Sequence, residues 1–363
     1  MNSVKVVDFT RVLAGPLCSM MLGDLGANVI KVERPDGGDE TRGWGPPFDE
    51  RGESAYFLSV NRNKKSVVAD LRNPADRDLL LTLIQNADVV LDNFRPGSLD
   101  RAGLPPDEVT AKNESLIWCS ITGFGGTNAR PGYDFVIQAE SGWMSITGPP
   151  EGPPAKAGVA LADVIAGKDA VIAVLAALVN RGRTGRGSRI VISLSSSARA
   201  ALVNVAQNVL VSGLEAGRWG NAHPNLVPYQ LFDCSDRPIV LAVGSNAQWR
   251  ACATVLDLHE LADDERLAHN AGRLKHRSEV VEKLARRLRQ RSADSWIVAL
   301  DAVGVPCGIV KSVKDAISDA GASPLFGVPP SVPGTMRFPP PRLDEHGDQI
   351  RRLGWGAFDA LHR

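Results

Sequence analysis

The chain has 363 residues, 44% of them hydrophobic and 23% charged, the make-up of a soluble globular protein too long for one ordinary core. Lys+Arg and Asp+Glu are both 41, so the basic excess that marks most nucleic-acid binders is missing. Five scattered cysteines without a CxxC pair read as free thiols in a reducing compartment and speak against a zinc site, and no apolar run is long enough to span a bilayer. The opening MNSVKVVDF has a strand pattern and lacks the apolar core of a signal peptide, so the expected location is the cytoplasm.

Val4 to Asp8 is a short β-rich run. A loop, Thr10 to Pro16, leads into a helix with Pro16 in its first turn and Gly26 at its stop. Strands are expected at Asn28 to Glu33, Ser66 to Leu71, Val89 to Leu91 and Leu116 to Thr122. Between them, Asn73-Pro74 opens a helix whose stripe is Leu79, Leu80, Leu83 and Ile84. This alternation predicts an α/β fold with a Rossmann-like parallel sheet. Ala162 to Arg181 is apolar on nearly every side, which predicts a buried helix, and Ile190 to Leu194 returns to strand. Ser195 to Ser197 read as a turn at the strand's end. The character changes after residue 200, with a strand at Ile239 to Val243 and a charged helical stretch from Asp263 to Arg291. A proline-rich passage, Val328 to Pro341, is extended enough to carry the tail back. The expected division is a large domain over 1–200, a smaller α+β domain over 201–325 and a return segment over 326–363 that packs on the large domain.

Asp163 lies at the start of the long helix, where two readings compete. An aspartate there can cap the helix by accepting a backbone N–H. It can also be a nucleophile, kept ionised at neutral pH by the helix N-terminus and given room by Gly158, Ala160, Ala162, Ala166 and Gly167. The local pattern does not choose between them. The loop Arg11 to Pro16 follows the first strand, and Arg34, Arg72, Arg95 and Arg101 follow the later ones, where a doubly wound sheet keeps its ligand crevice; arginines in those places suggest an anion with several phosphates. Solvated surface pairing is the plain reading for any one of them. No GxGxxG follows the first strand, no GxxxxGK[ST] loop exists and no GxSxG elbow is present. His223, in GNAHPNLVPY, reads as a turn residue.

Taken together, VVDFTRVLAGPLCSMMLGDLGANVIKVERPDGGDETRGW, NRNKKSVVADL, DNFRPGSLDRAGL, ITGFG, GYDFVIQAESGWMSITG, GVALADVIAG, RTGRGSRIVISL, GNAHPNLVPYQLF and GVPCGIV resemble, in order, the class III coenzyme A transferases of the CaiB/BaiF family. The resemblance covers nearly the whole chain. It implies that Asp163 is the nucleophile and that Leu13, Ala14, Arg34, Arg72, Asn93, Phe94, Arg95 and Arg101 contact coenzyme A, with Tyr133 and Asp134 near the thioester. It implies acyl-CoA and a carboxylic acid as substrates, no prosthetic group or metal, and a homodimer of two interlinked ring-shaped chains. Rival readings are an α-methylacyl-CoA racemase and a non-catalytic CoA-binding protein. The racemases carry histidine in a GHD-type segment, whereas this chain has Gly132-Tyr133-Asp134, and tyrosine is a poor base near neutral pH. The glycine-rich closing loop of formyl-CoA transferase is replaced by VGSNAQW, which points away from the formyl–oxalate pair, and the tail reads LDEHGD instead of LGEHT.

Overall fold

The alternating runs form a six-stranded parallel sheet in the computed structural model, which describes residues 1 and 3–361. Its strands are β1 Lys5–Asp8, β2 Asn28–Glu33, β3 Lys64–Val68, β4 Val89–Asp92, β5 Ile117–Thr122 and β6 Ser188–Ser193. Their spatial order is β3-β2-β1-β4-β5-β6, with every neighbouring pair parallel. The order reverses between β1 and β4, which opens a crevice at their carboxyl ends.

Of the helices, α1 is Ala14–Asp24, α2 Ala55–Ser59, α3 Pro74–Gln85, α4 Ser98–Arg101 and α5 Pro106–Lys112. Beyond β5 come α6 Asp134–Glu140, α7 Trp143–Ile146, α8 Leu161–Thr184 and α9 Leu194–Ala200. Side chains alternate across each strand, so both sheet faces are apolar and both need cover. Val6, Val29, Leu91 and Cys119 face α1 and α8. Val7, Ile30, Val90 and Trp118 join a second core that contains Leu80 and Leu83 of α3 and Trp355 and Phe358 from the chain's end. Trp355 Nε1 also donates to the Leu83 carbonyl at 3.0 Å.

The polar run from Asn61 to Ser66 is buried throughout, because each side chain has a partner brought from elsewhere. Arg62 binds both oxygens of Asp24 and donates to the carbonyls of Phe326 and Val328. Asn63 donates to Asp24 and the Thr335 carbonyl, and accepts from the backbone of Arg337 and Phe338. Lys64 Nζ reaches Asp8 at 3.1 Å, the Pro16 carbonyl at 3.0 Å and Asn61 at 2.8 Å. Lys65 donates to the Ala357 carbonyl, and Ser66 donates to Glu33 while accepting from the Asp344 N–H. One short segment thus ties the β1 floor to the late part of the chain.

The chain divides into two compact units. One comprises Met1–Met144, Lys156–Glu215 and the described residues from Ile317 onward; the other comprises Ser145–Ala155 and Ala216–Ala316. The second unit holds an antiparallel sheet, β7 Tyr229–Asp233, β8 Pro238–Ala242 and β9 Cys307–Ile309, over a core with Trp249, Leu284 and Trp296. The VGSNAQW segment is its turn from β8 into a helix, Asn246–Val255, capped by Ser245. Among the described residues, no helix is long and apolar enough to cross a membrane.

Three expectations need correction. The helix α8 is not buried on all sides, since Ile172 and Val179 are 65% and 68% exposed. Ser195 to Ser197 form the helix α9, which starts because Ser193 Oγ accepts the Ser196 N–H. The Asp263 to Arg291 stretch is several helical pieces, with fresh starts such as Asp264, whose carboxylate accepts the Arg266 N–H, before Arg277–Leu288.

Lys64→Met leaves the fully buried Asp8 carboxylate without its ammonium partner. Removing one member of such a pair costs about 3–5 kcal/mol. Urea denaturation is expected to show a loss of that size, and a loss below about 1 kcal/mol would contradict the role given to the pair.

Candidate active site

The loop after β1 is held from below. Asp8 accepts from Thr10 N (2.9 Å), Thr10 Oγ1 (2.5 Å), Ser19 Oγ (2.5 Å) and Lys64. Burial alone pushes its carboxyl up, but Lys64, Lys31 and the two hydroxyls outweigh this and hold it below the usual range. Lys31 Nζ donates to the Thr10 carbonyl at 2.8 Å and to Asp39 at 3.0 Å. Asp39 in turn accepts the Val12 N–H at 3.2 Å. Val12 has φ 72°, a left-handed conformation that a β-branched residue adopts only under constraint, at a cost of about 1–3 kcal/mol. Across the crevice, Asn93 clasps the same loop: it accepts from Arg11 N at 3.0 Å and donates to the Arg11 carbonyl at 2.6 Å. Its side chain therefore joins β1 to β4 at the point where strand order reverses.

The helix α8 reaches this loop because Gly167 has no side chain. A Cβ there would lie 2.6 Å from the Ala14 carbonyl oxygen. A second close crossing places α6: a Cβ on Gly123 would meet Gly132 Cα at 2.6 Å, and one on Gly132 would meet Gly123 Cα at 2.4 Å. This backbone contact brings Tyr133 and Asp134 to the start of α8.

Asp163 lies in the first turn of α8, but it is not the cap. The N-cap position is Ala160, without a side-chain bond. Asp134 Oδ1 instead accepts the N–H groups of Ala162 (2.8 Å) and Asp163 (3.3 Å), while its Oδ2 accepts Gln138 Nε2 at 2.7 Å. The Asp163 carboxylate accepts no hydrogen bond from any described residue. The expectation that the helix end keeps it ionised at neutral pH is corrected: burial, then the charge of Asp134, pushes its carboxyl up to about 7. The helix end does not offset this because Asp134 has taken the two amide donors. Tyr56 of α2 shares the surroundings; burial, then the charges of Asp163, Asp134 and Asp39, push its phenol up to about 12.

Asp163 opens into a cleft at the carboxyl ends of β1, β4 and β5. Leu13, Ala14, Asn93, Phe94, Arg95 and Tyr133 line the same cleft. Arg34 and Arg72 line a neighbouring one beside β2 and β3, and Arg11 and Phe94 border both. Arg101 lines neither and donates to Ser98 Oγ at 3.2 Å, and Asp134 lies under the helix start. Arg72 is exposed and paired with Asp70. Arg11, Glu40 and Arg130 also line the Asp163 cleft; of these, Glu40 and Arg130 were not singled out from sequence. Arg11 had a positional signal, since it lies in the loop that follows β1. Glu40, its ion-pair partner, comes from a separate 3₁₀ turn, Glu40–Gly43, and had none. His223, in the other unit, is a turn residue whose Nδ1 accepts the Asn225 N–H at 3.0 Å.

Residues 1–325 match the family described as CoA-transferase family III. A succinyl-CoA:glutarate CoA-transferase of Mus musculus is 41% identical over 99% of this chain and 88% of its own length. A succinate–glutarate CoA-transferase of Agrobacterium fabrum is 41% identical over 88% of this chain and 82% of its own. The crystal structure of a CaiB/BaiF family protein from Brucella suis superposes with a TM-score of 0.84 at 42% identity, covering 96% of this chain and 97% of that one. The chain belongs to CoA-transferase family III and is an enzyme that transfers coenzyme A between acyl-CoA and carboxylic acids.

Proposed function

We propose that this enzyme moves coenzyme A from an acyl-CoA to a dicarboxylic acid of the succinate–glutarate class through a covalent intermediate on Asp163. The observation that carries the reading is the Asp163 carboxylate itself, free of hydrogen bonds from the described residues and facing a cleft where the sheet order reverses. An Asp163 oxygen attacks the thioester carbonyl carbon, the C–S bond breaks and the CoA thiolate leaves, giving a mixed anhydride. The thiolate then attacks the aspartyl carbonyl, expels the donor acid and forms an enzyme–CoA thioester. The acceptor carboxylate reverses both steps. Each stage exchanges one bond for one bond, so no redox partner enters.

In this reading CoA extends from the Arg34–Arg72 cleft past Phe94 to Asp163, with Leu13, Ala14, Asn93, Arg95, Arg101, Tyr133 and Asp134 along or near its path. The names of the relatives support a dicarboxylic acceptor. The protein acts in the cytoplasm as an interlinked homodimer, its chain organised as segments 1–200, 201–325 and 326–363. The exposed apolar residues Ile172 and Val179 on α8, and Leu210 and Val211 further on, support a second copy against that side.

Incubation with succinyl-CoA or glutaryl-CoA followed by hydroxylamine is expected to modify Asp163, as read by mass spectrometry. Asp163→Ala abolishes the modification and lowers kcat/KM by about 10³-fold or more. Exchange of the α-proton with solvent deuterium in the absence of any aspartyl modification would overturn the proposal.

The raised carboxyl sets a pH dependence. The nucleophile must be deprotonated, so kcat/KM is expected to fall about tenfold per pH unit on the acid side of a midpoint near 7. A midpoint near the ordinary carboxylate value would contradict the burial of Asp163.

Folding is linked to the same proton. The folded carboxyl titrates at about 7, above its unfolded value of about 3.9. Its contribution to stability is therefore complete below the unfolded value and is lost as pH rises through the folded one. Asp163→Asn lacks this loss, so its urea midpoint should exceed that of the wild type at about pH 8 and approach it near pH 5. A difference that does not change with pH would contradict the linkage.

A further inference from the structure

A second carboxylate stands directly behind the nucleophile, outside both clefts. Asp134 lines neither the Asp163 cleft nor the Arg34–Arg72 cleft. It belongs to α6, 28 residues before Ala162, and its three bonds all point inward, to the N–H groups of Ala162 and Asp163 and to Gln138 Nε2. Gln138 is itself fully buried and accepts the Ala157 N–H at 2.8 Å, so Asp134 cannot swing away without breaking the segment that leads into α8. The Gly123–Gly132 crossing fixes the backbone just before it.

Two consequences follow from this geometry. A carboxylate at the start of a helix normally draws on the free amides there, which stabilise its negative charge. Asp134 takes those of Ala162 and Asp163, leaving Asp163 with none. Asp134 also sets a like charge beside Asp163, and like charges disfavour joint ionisation. Among the described residues, no lysine or arginine side chain bonds to either carboxylate. The arginines of the cleft wall have their own contacts: Arg11 pairs with Glu40, and Arg130 pairs with Glu140 and lies over the Phe124 ring. Arg95 lines the cleft without an ion-pair partner among the described residues. The charges of the same two carboxylates also help, after burial, to push up the phenol of Tyr56 in α2.

We propose that Asp134 is a positioning residue for the transfer reaction: it caps the nucleophile's helix in place of Asp163 and so keeps the Asp163 carboxylate unbonded, charged against a neighbour, and reactive. The proposal rests on the reading of Asp163 as the nucleophile. It explains why the first turn of α8 carries an aspartate that does not cap it, and why a second aspartate follows Tyr133 at the Gly132 crossing. A nucleophile held without hydrogen bonds is more basic, and nucleophilic reactivity rises with basicity. The upward shift of Asp163, to which Asp134 contributes after burial, agrees with this geometry.

The test compares Asp134→Asn, Asp134→Ala and wild type in the full-length enzyme with succinyl-CoA and glutarate. The asparagine oxygen still accepts the Ala162 N–H, so the cap survives, while the charge and the bond from Gln138 Nε2 are lost. The expected result for Asp134→Asn is an acid limb of kcat/KM displaced to lower pH by about half a unit or more. Its maximal kcat should fall several-fold with little change in KM for acyl-CoA, and its urea midpoint should drop by no more than the loss of the one Gln138 bond accounts for. Asp134→Ala frees both amides to turn to Asp163; its limb should move at least as far and kcat fall further. A purely structural role would lower activity and stability together and leave the pH limb where it was, and that outcome overturns the proposal. Hydroxylamine capture on the wild type separates the two failures. If Asp163 is modified and the Asp134→Asn limb does not move, Asp134 has no positioning role. If Asp163 is not modified, the nucleophile reading itself falls.

Discussion

The buried ion pair between Asp8 and Lys64 is the constraint on which the site depends. Both side chains are fully buried, and neither is tolerable there alone. Lys64 also holds the Pro16 carbonyl, and Asp8 holds Thr10 and Ser19, so the pair fixes both ends of the loop that forms one cleft wall. Lys31 and Asp39 extend the network to Thr10 and Val12. A loop restrained at that many points can keep Val12 in a conformation it would otherwise leave. The same polar segment that supplies Lys64 also supplies Arg62, Asn63 and Lys65, which receive the late part of the chain. Anchoring the cleft floor and anchoring the return segment are thus one structural task, performed by the run from Asn61 to Ser66.

At Asp163 the balance runs the other way. The network below pairs each of its buried charges with an opposite one, whereas Asp163 is left unbonded and beside another carboxylate. Such a group lowers stability at neutral pH, and proteins keep such arrangements where chemistry needs them. The surrounding structure makes the arrangement durable. Gly167 lets α8 press against the β1 loop, and the Gly123–Gly132 crossing holds Asp134 in place. The destabilised group is confined to one turn of helix on a rigid frame.

Much of the fold was legible in the chain. Runs such as NVIKVE and IWCSIT are β-branched and bounded by turn residues, and they became strands β2 and β5 within a residue of the expected limits. The role proposed for Asp163 is not legible locally, because a first-turn aspartate also reads as a cap; the resemblance of the whole chain to a family is what implies the nucleophile. The Asp134 bond to Ala162 spans 28 residues, and nothing near either residue announces it. For the same reason nothing local to NRNKKS announces that it is buried. Its burial depends on Asp8, Asp24 and Glu33 before it and on Thr335, Asp344 and Ala357 far beyond it. The helix α8 misled in the opposite direction, since apolar residues on all sides do not say whether this chain or another covers them. Arg72 and Arg101 are arginines at the right ends of strands, yet the first turns to Asp70 and the second to Ser98. Position relative to a sheet edge selects candidates, and an exposed pair such as Arg72–Asp70 does not remove one from the set.

The raised basicity of Asp163 has a consequence for direction within the proposed reaction. A mixed anhydride between Asp163 and a substrate acid offers the CoA thiolate two carbonyl carbons. Attack on the substrate carbonyl expels Asp163 and returns the starting thioester. In the first half-reaction, attack on the aspartyl carbonyl expels the donor acid and carries the transfer forward; in the second, the acceptor carbonyl must be attacked and Asp163 must leave. Carboxylic acids titrate at about 4 in water, whereas Asp163 in its pocket titrates at about 7. The weaker base leaves more readily, so the pocket favours departure of the donor acid in the first half-reaction and makes expulsion of Asp163 the harder step in the second. Burial and the Asp134 charge thus do two things at once. They make Asp163 a better nucleophile toward the thioester, and they make it the poorer leaving group once the anhydride has formed. An aspartate satisfied by the helix end would be the weaker nucleophile and the better leaving group, so within the proposed reaction the Asp134 cap eases attack on the donor thioester at the expense of the final release of Asp163.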